Sequence, residues 1–264
     1  MPLVPTAPEA QAVMSHDGLH IATYDFARHS ELDENAPVVL AVHGFASSAL
    51  ANWHATGWVR ELGRAGYRVI AIDQRGHGAS DKPHDPAAYS MKLLVDDVNA
   101  VIDTYLLDEI TFVGYSLGGR VGWASSLELT THITKAVLGG IPDGLPLTSF
   151  DVPAARAYIA DGTPVTDRMT NAYLTMAGGV PGNDLTALVA LVEGMRQGSS
   201  PDPENPPTQR ILFATGTEDS ILERSRALAN AAPLGEFYEI PGRNHFNAPT
   251  SREFRTRALE FLAS

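Results

Sequence analysis

Short runs of continuously apolar residues alternate with longer amphipathic stretches along most of the chain. A strand that is buried on both faces has no polar alternation, so these runs predict a mostly parallel sheet covered by helices on both faces. The predicted strands lie at 38–42, 68–72, 110–114, 134–138, 211–215 and 236–240, and the predicted helices at 53–65, 91–106, 117–129, 222–231 and 252–262. The pattern indicates an α/β fold.

The first predicted elements have a different character. Residues 13–15 and 20–26 flank Asp17 and Gly18, a pair that favours the positive φ angles of a two-residue hairpin turn. We therefore expect an antiparallel hairpin at the start of the sheet. With it, the sheet has roughly eight strands.

The succession of strands is interrupted between residues 141 and 207. No buried strand is predicted there, although 154–159, 167–176 and 186–195 have the apolar spacing of helices. The predicted organisation is a tail at 1–12, a core made of 13–140 and 208–264, and an inserted segment at 141–207.

A Gly-Tyr-Ser-Leu-Gly sequence at 114–118 lies directly after a predicted strand and directly before a predicted helix. A nucleophile at such a tight turn has strained backbone angles, and small residues two positions before and after it prevent clashes between strand and helix. The helix N-terminus also favours developing negative charge. Ser116 is therefore the predicted nucleophile.

A serine hydroxyl needs a base and an orienting carboxylate to become a good nucleophile. His245 follows the last predicted strand, and Asp219 follows the predicted strand before it. The carboxyl ends of parallel strands meet at one edge of a sheet, where functional loops collect. The sequence predicts that Ser116, Asp219 and His245 form a catalytic triad in this order along the chain.

Composition narrows the class of function. The chain of 264 residues has 31 acidic against 19 basic side chains, a formal net charge of −12 and no cysteine. This excludes a cysteine nucleophile and thiolate metal sites, and it disfavours nucleic acid and membrane surfaces as partners. Without a signal-peptide pattern or a run of about 20 apolar residues, a cytoplasmic protein acting on a small molecule is expected, as a monomer or a homodimer.

No metal-binding motif such as His-Glu-x-x-His occurs, so neither a metal site nor a cofactor is expected. His43, Arg75 and His77 lie in Gly-containing turns after predicted strands. We expect these three side chains to brace loops beside the site rather than to take part in the reaction.

The chain resembles the α/β-hydrolase fold superfamily from about residue 17 to its C-terminus. Five segments carry the resemblance, in the order the superfamily has them: Val-His-Gly-Phe-Ala at 42–46, Asp-Gln-Arg-Gly-His-Gly-Ala-Ser at 73–80, the turn around Ser116, Gly-Thr-Glu-Asp at 216–219, and Gly-Arg-Asn-His at 242–245. The resemblance implies a serine hydrolase of the esterase type that works without a cofactor.

The resemblance also implies roles for individual residues. In the superfamily, two backbone N–H groups bind the oxyanion, and they correspond here to Phe45 and Leu117. Some relatives carry the acid after an earlier strand, which leaves Asp143 as a rival to Asp219. Relatives that open epoxides or displace halide have an aspartate at the elbow, so Ser116 favours acyl transfer instead.

The inserted segment corresponds to the cap that covers the site in many relatives. Most of its apolar side chains are expected to pack onto the core, and those near the mouth would determine specificity. The candidates for the substrate pocket are Leu147, Tyr158, Met169, Tyr173, Met176 and, outside the segment, Phe246. Arg156, Arg168 and Arg196 are expected at the solvated surface, although one of them could bind a substrate carboxylate.

The predicted function is hydrolysis of a carboxylic ester of a small molecule through an acyl-enzyme. An alternative is hydrolysis of a carbon–carbon bond or an enol-lactone in aromatic catabolism, which a cap arginine aimed at the pocket would favour. Perhydrolase or lyase chemistry is a further alternative. From another class, the fold could serve as a non-catalytic receptor for a small ligand.

Overall fold

Eight strands form one sheet in the computed structural model, which describes residues 7–26, 36–196 and 198–264. The strands are β1 (Gln11–Met14), β2 (His20–Asp25), β3 (Val38–Val42), β4 (Arg68–Ile72), β5 (Ile110–Tyr115), β6 (Ile133–Gly139), β7 (Arg210–Gly216) and β8 (Gly235–Ile240). Their order across the sheet is β1-β2-β4-β3-β5-β6-β7-β8. The β1–β2 and β2–β4 pairs are antiparallel and the others are parallel, so the expected mostly parallel sheet is confirmed.

Helices cover both faces of this sheet. The α-helices of the described residues are α1 (Trp58–Arg64), α2 (Met91–Tyr105), α3 (Leu117–Glu128), α4 (Val152–Asp161), α5 (Arg168–Gly178), α6 (Leu185–Met195), α7 (Leu222–Ala231) and α8 (Arg252–Ala263). Alternate residues of each strand point to opposite faces. One set packs against α2, α3 and α7 and the other against α1 and α8, so the sheet is buried between two apolar layers.

The predicted helix at 53–65 is wrong in its first half. The chain instead makes a π-helical turn at Leu50–His54, and α1 begins only at Trp58. Gly57, with φ 87°, separates the two elements. A residue in this left-handed conformation cannot continue a right-handed helix, and glycine adopts it at little cost.

The hairpin is present, but its turn differs from the predicted one. Ser15 N–H donates to Leu19 O at 2.8 Å, so three residues form the loop, and Gly18 has φ 88° while Asp17 keeps a negative φ. A three-residue loop needs one left-handed position rather than two. Strand β1 also begins inside the predicted tail, whose residues 1–6 lie outside the described part of the chain.

Helices α4, α5 and α6 lie between β6 and β7, where the sequence predicts the inserted segment. Each begins after an aspartate whose side chain accepts a hydrogen bond from a backbone N–H of the first turn; these are Asp151, Asp167 and Asp184. Such N-caps satisfy donors that a helix leaves unpaired. The caps fix where the three helices start.

The helices were also compared with the length and apolar character of a membrane span. None of those in the described residues is both long enough and apolar enough to cross a membrane.

Candidate active site

Ser116 occupies the sharp turn between β5 and α3. Its φ of 53° and ψ of −114° lie in a region that non-glycine residues rarely adopt. Such a conformation costs about 1–3 kcal/mol and persists only where the surroundings hold it. Here Ser116 N–H donates to Gly139 O at 2.8 Å, and Ser116 O accepts from Arg120 N–H at 3.0 Å. The turn lifts the hydroxyl above the end of the sheet.

The two glycines of the turn are required by close packing. A Cβ atom at Gly118 would clash with the backbone oxygen of Val42 on the neighbouring strand, and one at Gly114 would clash with the backbone of Gly118. Backbone atoms cannot move aside as a flexible side chain can. The spacing of glycines around Ser116 therefore reflects the geometry of the strand-to-helix junction.

His245 and Asp219 lie beside Ser116 at the carboxyl edge of the sheet. Ser116 Oγ is 2.8 Å from His245 Nε2, and His245 Nδ1 is 2.8 Å from Asp219 Oδ2. The other carboxylate oxygen of Asp219 accepts from Ile221 N–H at 3.2 Å, while Tyr115 donates its hydroxyl to His245 O at 2.7 Å. Asp219 is thus held by its own loop, and the backbone of His245 is held by Tyr115 at the end of β5.

Asp143, the rival acid, lies elsewhere. Its Oδ1 pairs with Arg224 Nε at 2.6 Å, and its side chain is 42% exposed. Asp219, by contrast, has a side chain only 3% exposed and contacts the imidazole directly. Of the two carboxylates that follow suitable strands, the one after β7 is therefore in position to orient His245.

Two backbone N–H groups belong to residues that line the same cavity as Ser116. Phe45 and Leu117 line the cavity next to Ser116, and among the described residues neither N–H donates to a protein acceptor. Leu117 is the first residue of α3, where no intrahelical acceptor exists. The loop that carries Phe45 is tied down at Ala46, whose N–H donates to His77 Nε2 at 3.0 Å.

A cavity of about 130 Å³ opens at this point. Three of the six predicted pocket residues, Leu147, Met169 and Tyr173, line it. The other three are Tyr158, Met176 and Phe246, and they lie outside its lining. Tyr158 and Phe246 are 41% and 43% exposed, and Met176 packs against the core.

Sequence reasoning missed two prominent lining residues. Phe150 packs edge-on against Phe45 with ring centroids 6.0 Å apart. Arg120 comes from α3, four residues after Ser116, and is 6% exposed. A signal was present for Arg120, because it lies in the first turn of the helix that begins directly after Ser116.

The three arginines of the inserted segment do not line the cavity. Arg156 pairs with Glu193 at 2.5 Å, and Arg196 donates to the backbone oxygens of Leu147 and Phe150. Arg168 is exposed. A cap arginine aimed at the pocket would favour the carbon–carbon or lactone alternative. None of these three arginines has that position.

Comparison with known proteins identifies the family. The family described as alpha/beta hydrolase fold matches residues 37–168, half of the chain, which include the loop that carries Phe45 and the Ser116 turn. This chain belongs to the α/β hydrolase fold family. The predicted superfamily membership is thereby confirmed.

Individual relatives of this α/β hydrolase have different activities. It is 42% identical over 91 residues to epoxide hydrolase B of Mycobacterium tuberculosis, covering 34% of this chain and 25% of that protein. It is 26% identical over 250 residues to 2-(acetamidomethylene)succinate hydrolase of Mesorhizobium japonicum, covering 85% and 87%. The first curated relatives are matched over only 25% to 37% of their own length.

Solved structures agree on the fold of this α/β hydrolase. The enol-lactonase from Burkholderia xenovorans LB400 superposes with a TM-score of 0.74 at 20% identity, covering 96% of this chain and all of that one. At such identity the likeness extends to the fold and not to the substrate.

The loops beside the site are braced by buried side chains, as the sequence suggests. His43 Nε2 accepts from Gln74 N–H at 3.1 Å, and its Nδ1 lies 2.7 Å from Gly44 O. Arg75 binds Asp97 through Nε and Nη2, both at 2.7 Å. A ring nitrogen that accepts a hydrogen bond from an N–H cannot carry a proton itself, so these contacts favour neutral imidazoles.

Burial lowers the pKa of His43, and burial together with His43 holds the pKa of His77 well below its usual value. Below about pH 6.5 these two histidines bind protons in the unfolded chain but stay neutral in the folded protein. The free energy of unfolding therefore decreases as the pH falls. For His77 the loss of unfolding free energy between pH 7 and pH 5 is at most about 2 kcal/mol, the limit set by protonation of its imidazole in the unfolded chain.

Urea unfolding at pH 7, 6 and 5 measures this effect. His77→Gln should be less stable at pH 7 but lose less stability on acidification than the wild type. His16→Gln, at an exposed position, is the matched control and should keep the wild-type slope. Parallel pH dependences of wild type and His77→Gln would contradict the prediction.

Asn183 connects the inserted segment to the loop that carries Phe45. Its Oδ1 accepts from Gly78 N–H at 2.9 Å and its Nδ2 donates to Ala46 O at 3.0 Å. Replacing Asn183 by alanine removes both bonds and loosens the loop that carries Phe45, which keeps the bond from Ala46 N–H to His77 Nε2. Since small misplacements in an active site cost up to about 10²-fold, we expect kcat to fall roughly 10-fold or more with little change in KM.

Steady-state hydrolysis kinetics check this, with Asn171→Ala as the control. Asn171 is exposed on α5 of the same segment, so its variant should keep wild-type kcat and KM. A rise in KM alone in Asn183→Ala would show that the bonds serve substrate binding rather than loop placement.

No group of three or more His, Cys, Asp or Glu side chains in the described ranges is arranged to hold a metal ion.

Proposed function

We propose that this α/β hydrolase is a serine hydrolase that cleaves a carboxylic ester of a small molecule through an acyl-enzyme. The observation that carries the proposal is the continuous chain of contacts from Ser116 Oγ through the imidazole of His245 to Asp219, with both distances at 2.8 Å. This is the arrangement in which a serine proton can be removed during attack on a carbonyl.

In the acylation step, Ser116 Oγ attacks the ester carbonyl carbon while its proton moves to His245 Nε2. The carbonyl π electrons move to the carbonyl oxygen, which becomes an oxyanion. Asp219 accepts the Nδ1–H hydrogen bond and stabilises the imidazolium that forms. Collapse of the tetrahedral intermediate expels the alkoxide, which takes the proton from Nε2 and leaves as an alcohol.

The Phe45 and Leu117 N–H groups support this step, since both border the cavity beside Ser116 and make no protein hydrogen bond in the described chain. Each such donor is worth about 2.7–4 kcal/mol at the transition state in a serine protease. In the second half, water attacks the acyl carbon, His245 takes its proton, and Ser116 leaves with that proton. The products are an acid and an alcohol.

The identity of the nucleophile argues against epoxide opening, the activity named for one relative. Attack of a serine oxygen on an epoxide carbon forms an ether, which has no carbonyl for water to attack. An aspartate at the same position would form an ester that can be hydrolysed. Ser116 therefore suits substrates that already contain an acyl carbon.

We further propose that residues 141–207 act as a cap and that the substrate has a short acyl group. Leu147, Phe150, Met169 and Tyr173 from this segment line the cavity, which is mainly apolar in its side chains. A cavity of about 150 Å³ in another protein accommodates one benzene ring. The volume of about 130 Å³ here fits an acyl chain of a few carbons.

A panel of p-nitrophenyl esters from acetate to decanoate tests the proposal. The expected result is turnover with kcat/KM highest between acetate and butyrate and falling for longer chains. Absence of turnover on every ester, combined with saturable binding of small acyl compounds, would favour the non-catalytic receptor instead. A maximum at decanoate would contradict the short acyl site.

A further inference from the structure

Arg120 is a cation inside the cavity that contains Ser116. It lies on α3, four residues after Ser116, and only 6% of the residue is exposed. Its side chain lines the cavity together with Ser116 and His245. Its guanidinium therefore borders the same space in which the acyl group of a substrate would lie.

This buried guanidinium has no counter-ion among the described residues. Its hydrogen bond goes from Nη1 to the neutral backbone oxygen of Gly144. The nearby carboxylate, Asp143, is already bound to Arg224 at 2.6 Å. A buried charge without a partner is costly, so proteins retain one mainly where an anion binds it.

The surroundings of Arg120 reinforce this shortage of negative charge. Burial, followed by the positive charge of Arg224, lowers the pKa of Arg120 to about 10. The group is still cationic at neutral pH. An anion that enters the cavity would stabilise the charged guanidinium in two ways. It would supply the missing negative charge, and its oxygens would replace hydrogen bonds to water that burial removes.

We propose that Arg120 binds a carboxylate carried by the acyl part of the substrate, so that the preferred substrates are monoesters of short dicarboxylic acids. The proposal rests on the proposed ester hydrolysis at Ser116 and adds a substrate class to it. The planar guanidinium suits a carboxylate because two parallel N–H groups can bind its two oxygens.

The other polar groups of the cavity are compatible with such a substrate. Tyr173 and Ser149 line it and offer neutral hydroxyl donors. Burial and the charge of Asp219 raise the pKa of Tyr173 to about 12, so its hydroxyl keeps its proton and can donate to an anion. The carboxylate of Asp219 is bound to His245 and does not pair with Arg120.

Two esters that differ only in charge test the inference. Monomethyl glutarate carries a carboxylate, and its primary amide has nearly the same shape without the charge. We expect the wild type to have a kcat/KM about 10- to 100-fold higher for the charged ester, the usual range for a charge-assisted hydrogen bond. In Arg120→Gln this ratio should fall to about one or below.

Arg156→Gln is the matched control, because Arg156 is paired with Glu193 at the surface and should leave the ratio unchanged. Arg120→Lys keeps the charge without the planar fork and should give an intermediate ratio. A wild-type ratio near one would overturn the inference, and so would an equal loss of activity on both esters in Arg120→Gln. The wild-type ratio needs no variant, so a folding defect cannot hide the answer.

Calorimetric titration with glutarate separates this inference from the proposed function. If the wild type hydrolyses neither the glutarate esters nor any p-nitrophenyl ester, ester hydrolysis fails. Glutarate binding that is lost in Arg120→Gln and kept in Arg156→Gln would then still support the carboxylate site. If esters are hydrolysed and glutarate does not bind, the carboxylate site alone fails.

Discussion

Ser116→Ala is expected to lower kcat/KM on the best p-nitrophenyl ester by about 10⁴- to 10⁶-fold, as loss of a serine nucleophile does elsewhere. The alanine removes Oγ, the atom that lies 2.8 Å from His245 Nε2, and with it the covalent step. It keeps a Cβ atom, so the backbone strain at φ 53° is the same as in the wild type. The melting temperature should therefore change little.

Initial rates at several enzyme concentrations measure the loss, with circular dichroism to show that the fold is intact. Ser199→Ala is the control, since Ser199 is exposed in the loop after α6 and should keep full activity. Retention of more than about 1% of the wild-type kcat/KM in Ser116→Ala would mean that another group attacks the ester.

Asp219→Asn is expected to reduce kcat by about 10⁴-fold. The reason lies in the contacts of both carboxylate oxygens. Ile221 N–H donates to Oδ1 at 3.2 Å, so the amide oxygen of asparagine takes that side and its NH₂ group faces His245 Nδ1. The imidazole then accepts at Nδ1 and carries its proton on Nε2, where it cannot receive the Ser116 proton.

Asp143→Asn is the matched control for this variant. Asp143 also follows a strand of the parallel sheet, but it pairs with Arg224 rather than with His245. Its variant should keep kcat within about 2-fold, because an exposed ion pair contributes little. A large loss in Asp143→Asn together with a small one in Asp219→Asn would reverse the assignment of the acid.

Much of the fold could be predicted because its signals are local. The sheet strands are continuous apolar runs, and predicted and observed bounds agree within a residue for β3 to β8. The turn at Ser116 combines a strand, closely spaced glycines and a helix within a few residues. The break at Gly57 was missed because a single glycine in an apolar stretch does not reveal whether it adopts a positive φ.

The site was less predictable where it depends on contacts between distant segments. Asp143 and Asp219 both follow strands, and only their three-dimensional placement distinguishes them. Asn183 reaches Gly78 and Ala46 across more than 100 residues of sequence, without a local pattern. Arg120 lies on a helix buried on nearly every side, so the contrast between polar and apolar faces that marks an exposed arginine is missing.

Labelling with a fluorophosphonate, followed by peptide mass spectrometry, tests most directly whether Ser116 is an activated nucleophile. Wild-type protein should acquire one phosphonyl group on the peptide that contains Ser116, and Ser116→Ala should acquire none. Labelling should also slow strongly in Asp219→Asn, since the reaction needs the same proton transfer to His245. An unlabelled Ser116 peptide in active wild-type protein, or equal labelling of Ser116→Ala, would contradict a serine hydrolase mechanism at this site.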